Sequence, residues 1–149
     1  MSASLKNWAE SGWLKSHQTT PDEIAALLAA VEDDLANARK DLSPAWQFNI
    51  AYSGALGACT VLLAAAGYRA QRENKHYRTI AALPLILGPD ARELAAFLDQ
   101  CRKMRHDVTY EGIRSMSAAE ARELIEAVED LRNRVLKWLQ QRRPELLRR

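Results

Sequence analysis

The 149 residues carry 21 Lys and Arg against 19 Asp and Glu, a formal charge of +2 that is too balanced to announce a nucleic-acid binder from the sum alone. Ala and Leu dominate, Gly and Pro are sparse, and β-branched residues never form alternating runs, which excludes a sheet protein and predicts an all-α chain. The length suits one domain over residues 1–149, with room for a sizeable core.

The N-terminus, MSASLKNWAESGW, lacks the apolar stretch of a secretion signal. A short helix is expected over about residues 4–17, with Leu5, Trp8, Trp13 and Leu14 as its apolar contacts. The core bundle is expected over about residues 20–142. Thr20-Pro21-Asp22-Glu23 reads as a capping box with proline at the first helical position. The helix it opens carries Ile24, Leu27, Leu28, Val31 and Leu35 at three- and four-residue spacing and ends near Lys40. Ser43-Pro44 repeats the start signal for a central helix stopping at Gly67.

That central helix lies in a stretch without charge, Leu42 to Tyr68, long enough to cross a bilayer. Pro44, Gln47, Asn49, Ser53 and Thr60 interrupt it, and only Gly54 to Gly67 is continuously apolar, so a buried core helix in a soluble bundle is expected. Gly54, Gly57, Ala58, Ala64 and Ala65 would let neighbouring helices approach closely. Trp46, Tyr52 and Tyr68 read as core and helix-end packing. Cys59 and Cys101 lie in helical patterns without metal-ligand spacing, as buried reduced thiols of a cytoplasmic protein would.

A polar connection over about Arg69 to Lys75 leads to a helix from His76 to Leu87, which Pro84 is placed to kink or shorten. Gly88-Pro89-Asp90 breaks the chain before a helix from Ala91 to about Tyr110, with Leu94, Phe97, Leu98 and Cys101 inward. A second capping box, Ser117-Ala118-Ala119-Glu120, opens the last helix, which ends before Pro144. The architecture that buries these stripes is an antiparallel helical bundle of about five to six helices. Arg132, Arg134, Lys137, Arg142, Arg143, Arg148 and Arg149 gather toward the C-terminus, complementing the helix dipole or contacting RNA. Little apolar surface follows Pro144, so its removal is expected to leave folding intact.

Charge is unevenly spread: residues 1–41 hold 4 basic and 7 acidic groups, residues 69–114 hold 9 and 6. Within the basic half, CRKMRHDVTYEG (Cys101 to Gly112) is the densest segment. On a helix Arg102 shares a face with Arg105 and His106, and like charges at that spacing repel by a few tenths of a kcal/mol, about 0.2–0.5 per pair. A solvated basic face accounts for the pattern; so does a phosphate site, because guanidinium forks grip phosphate oxygens and imidazole exchanges a proton near neutral pH. No phosphate loop, histidine pair with metal spacing or nucleophile elbow accompanies it. The acidic pairs Asp33-Asp34 and Glu129-Asp130 read as solvated helix faces.

The segment resembles the active motif of the HEPN family (higher eukaryotes and prokaryotes nucleotide-binding), helical bundles that include metal-independent ribonucleases and partners of small nucleotidyltransferases in toxin-antitoxin pairs. The family's motif is an arginine with an Asn, Asp or His neighbour, then a histidine a few residues on. Arg105-His106 matches the first two, and Tyr110 stands where the histidine falls. A subgroup ending in Arg-x-x-Arg-Asn-x-x-x-Tyr keeps Arg102, Arg105 and Tyr110 in register, with His106 replacing Asn. DLSPAWQFNIAYSGALGACTVLLAAAGYRA resembles the family's long apolar helix, and KHYRTIAALPLILG its following segment, so the likeness covers roughly residues 25–139.

The resemblance implies a homodimer whose two copies of Arg105 line one cleft, with Arg102, Arg105, His106 and Tyr110 binding RNA or a nucleotide. It implies a protein partner of nucleotidyltransferase type, no membrane and no metal or other cofactor. In the enzymatic form, arginine would stabilise the charge on a scissile phosphate while a histidine moves the 2′-hydroxyl proton. An unperturbed phenol, with a pKa of about 10, serves that proton role poorly. Two functions follow: a binding and interaction module without turnover, or a weak endoribonuclease using Arg102, Arg105 and His106.

Overall fold

The computed structural model describes residues 4–107 and 115–148. Seven α-helices account for most of them: α1 (Leu5–Glu10), α2 (Pro21–Ala38), α3 (Pro44–Ala65), α4 (Lys75–Ala81), α5 (Leu83–Leu87), α6 (Arg92–His106) and α7 (Ala118–Arg142). The all-α bundle expected from composition is the observed architecture. Its start signals act as read. The side-chain oxygens of Thr20, Ser43 and Ser117 accept from the backbone N–H groups of Glu23, Trp46 and Glu120. At α7 the box is complete, with Glu120 accepting in return from the Ser117 N–H. At α2 it is half made, because the Glu23 carboxylate turns to the Thr19 hydroxyl at 2.5 Å and the His17 ring at 2.7 Å.

α3 packs along both α2 and α7. It is buried nearly all round, through Phe48, Ala51, Tyr52, Ala55, Ala58, Cys59, Val61 and Leu62 among others, which explains why its sequence shows no amphipathic stripe. It is long and apolar enough to cross a membrane, yet 67% of its most apolar window is covered by the rest of the bundle. Its glycines make that fit possible. A Cβ on Gly57 would sit 3.0 Å from Val31 Cγ2 of α2, and one on Gly54 would sit 3.3 Å from Asp34 Cβ and 3.4 Å from Val128 Cγ1 of α7.

The N-terminal expectation needs correction. α1 stops at Glu10, and Gly12 takes the left-handed conformation (φ 82°) that turns the chain, with the Trp13 N–H returning to the Trp8 carbonyl. Residues Leu14–Ser16 then form a strand, β1, pairing antiparallel with β2 (Tyr68–Ala70), Leu14 opposite Ala70 and Ser16 opposite Tyr68. Leu14 leads a second apolar cluster with Leu63, Ala70 and Ala82, against which Trp8 and Leu5 pack.

Pro84 breaks the helix from His76 to Leu87 as expected, dividing it at Ala82, because proline lacks the N–H a continuous helix needs and Leu85 bonds back only three residues to Ala82. Two more expectations change in detail. Trp46 is exposed (64%) rather than packed, in the first turn of α3. Beyond α7 a short turn of 3-10 helix, Pro144–Leu147, folds back on α2 and α7 and buries Leu146 in the main core, so the tail is not dispensable surface. A similar turn, Pro89–Ala91, precedes α6. α6 carries the arginine segment as expected, but Tyr110 lies outside the described residues.

Candidate functional site

α6 presents its cations at its C-terminal end, where Lys103, Arg105 and His106 meet the negative end of the helix dipole. One turn earlier Asp99 accepts from Arg102 Nε at 2.8 Å and lies 3.6 Å from Lys103 Nζ, so the crowding is partly answered within the helix. Arg102 and Arg105 then lean on aromatic rings from two other helices. The Arg102 guanidinium carbon is 5.6 Å from the Tyr77 ring centre of α4, and that of Arg105 is 5.3 Å from the Tyr52 ring centre of α3. Cation–π attraction of this kind favours a guanidinium held beside an aromatic ring.

Tyr52 is the floor of this arrangement. Its side chain is 1% exposed, and its hydroxyl is buried with no hydrogen-bond partner among the described residues. Burial, outweighing the nearby Arg102 and Arg105 charges, raises its pKa far above the usual phenol value and keeps it a proton donor. The His76 ring centre is 6.4 Å from that of Tyr52. His76 is exposed at the surface, yet desolvation of its ring, then the charges of Arg105, Lys75 and Arg102, lower its pKa from the ordinary imidazole value and favour its uncharged form.

Arg102 and Arg105 are thus brought together, from the segment the sequence singled out. His106 closes the last turn of α6 with an exposed side chain. His76 was missed. It sits in the quoted stretch KHYRT, but only its contact with Tyr52, across three helices, shows its relation to the arginines.

Other candidates are accounted for by pairing. Glu129 binds Arg39, Asp130 binds Arg134 at 3.0 Å, and Arg132 grips both carboxylate oxygens of Glu32 at 2.6 and 2.7 Å. Arg143 bonds Glu145 and the Ala65 carbonyl. Of the basic tail, Arg132 and Arg143 are thereby tied to α2 and α3. Asp34 is half-buried rather than solvated; burial raises its pKa despite a hydrogen bond with Ser53. Cys59 and Cys101 are free buried thiols whose pKa burial pushes up to about 12, which makes them poor nucleophiles.

Two guanidiniums beside an imidazole, set over the buried Tyr52 ring, form a site suited to an anion. A phosphate is the simplest such group, since guanidinium N–H edges match its oxygens. Comparison with protein-family models, curated proteins and solved structures finds no match to this chain.

Proposed function

We propose that this protein is a HEPN-like module that binds RNA or a nucleotide through Arg102 and Arg105, with His106 and Tyr110 as the further ligand-binding residues that the resemblance implies. The observation that supports the reading is the pair of arginines braced on Tyr77 and Tyr52 next to His76. In this reading the protein works in the cytoplasm as a homodimer whose α6 segments share a cleft. A second copy supplies more cations to one phosphate chain, and a toxin-antitoxin or defence system with a nucleotidyltransferase-type partner is the setting. Retention of end-labelled RNA by the purified protein tests it. Arg102→Ala with Arg105→Ala should abolish retention while the thermal melt stays that of the parent.

His76 favours a second reading, a metal-independent endoribonuclease. A neutral imidazole beside two guanidiniums can accept the 2′-hydroxyl proton, a role Tyr110 fills poorly and for which His106 was the sequence candidate. Cleavage of mixed RNA in EDTA, lost in His76→Ala and kept in His106→Ala, would establish it with His76 as the base. No cleavage by the parent leaves the binding module.

A further inference from the structure

Two surface grooves flank the start of α4 and share Arg72 and Asn74. One is lined by Gly12, Trp13, Arg72, Glu73, Asn74 and Arg78, the other by Arg72, Asn74, Lys75, His76, Tyr77 and Arg102. Their shared residues set them side by side between the turn before β1 and Arg102 of α6. Asn74 sits at the join in a left-handed conformation (φ 55°). Among the described residues that line the grooves, Arg72, Lys75, Arg78 and Arg102 stand against Glu73, with Arg102 also paired to Asp99.

Aromatic rings stand among those cations. Trp13 and Tyr77 are 38% and 41% exposed, far more than a packing role requires. Arg78 spans them, its guanidinium carbon 3.6 Å from the Trp13 ring centre and 5.5 Å from that of Tyr77. Trp8 supports Trp13 edge-on, at 5.6 Å between centres and 73° between planes. The rings are held in place by neighbours yet remain open to solvent.

We propose that this pair of grooves is a track for single-stranded nucleic acid leading into the Arg102–Arg105 site, an inference that rests on the phosphate-binding reading above. Arg78 already covers one face of Trp13, so a base would stack on the ring surface of Trp13 and Tyr77 left open to solvent, while the interleaved cations follow a phosphate backbone, the combination that binds single strands without sequence preference. A duplex keeps its base faces stacked internally and can use only the cations. The track therefore distinguishes single strands from duplexes.

The test is fluorescence anisotropy with a labelled 12-nucleotide single-stranded RNA and the same sequence as a blunt duplex. The parent should bind the single strand more tightly. Trp13→Ala should weaken single-strand binding about tenfold and leave duplex binding unchanged, since stacking is lost and charge is not, whereas Tyr77→Ala, which also removes the ring beside Arg102, should weaken both and the single strand more. Trp13→Phe and Tyr77→Phe keep a ring and should retain most of the affinity, which separates stacking from damage to the fold. Equal binding of both RNAs, indifferent to Trp13→Ala and Tyr77→Ala but lost in Arg105→Ala, would overturn the track and leave the phosphate site standing. Absence of binding to either RNA at low salt would overturn both.

Discussion

The guanidinium of Arg105 lies over the ring of Tyr52, a tyrosine buried in α3 whose hydroxyl has no partner among the described residues. That contact ties the buried centre of the bundle to its cationic surface. Leaving a hydroxyl unsatisfied costs about 1–3 kcal/mol, so Tyr52→Phe should hold or raise stability in urea denaturation. The ring itself is needed. Tyr52→Ala should cost about 3–5 kcal/mol through the cavity it leaves, and should weaken RNA binding by releasing Arg105.

His76 makes a prediction about pH. Its folded pKa lies below the unfolded value of about 6.5, so the unfolded chain takes up the proton first as pH falls. The contribution to stability is whole above the unfolded pKa and is lost as pH drops through the interval down to the folded pKa. His76→Gln should therefore lose less stability than the parent between pH 7.5 and 5, measured by thermal melts. A bound phosphate reverses the preference by favouring imidazolium, so in the parent nucleotide binding should strengthen over the same descent. In His76→Gln that gain should shrink.

The C-terminal turn should prove structural. Leu146 is 4% exposed and belongs to the main core, so Leu146→Ala should cost about 2–5 kcal/mol in urea denaturation. Truncation after Pro144 should lower the melting temperature markedly. Leu147→Ala, at a residue 37% exposed, should change little.

Helix contact at Gly57 is tight enough to test by one methyl group. Ala at this position would bring a Cβ within 3.0 Å of Val31 Cγ2, and Gly57→Ala should destabilise by about 1–3 kcal/mol despite alanine's better helix propensity. Pairing it with Val31→Ala should recover part of the loss, which a double-mutant comparison of melts would show.

Much of the fold was legible because helix starts are local chemistry. Ser43-Pro44 and Ser117-Ala118-Ala119-Glu120 cap α3 and α7 through atoms three residues apart. The β1–β2 pair was not, because each strand has three residues and one buried side chain, too few to show alternation. Glu23 was misread because its carboxylate is taken by Thr19 and His17, which precede the cap and compete with the backbone N–H of Thr20. The arginines of α6 were found because they share one helix face. His76 was not, because its place beside them depends on α4 packing against α6.

The central claim is that Arg102 and Arg105 bind phosphate. Its most direct test is the affinity of a labelled single-stranded RNA measured across 25–300 mM salt for the parent and for Arg105→Ala. Neutralised phosphates release counterions, so log affinity should fall linearly with log salt, and the slope should be shallower by about 0.7 in Arg105→Ala, which loses one contact. An Arg105→Ala protein with the parent's affinity and slope would contradict the account.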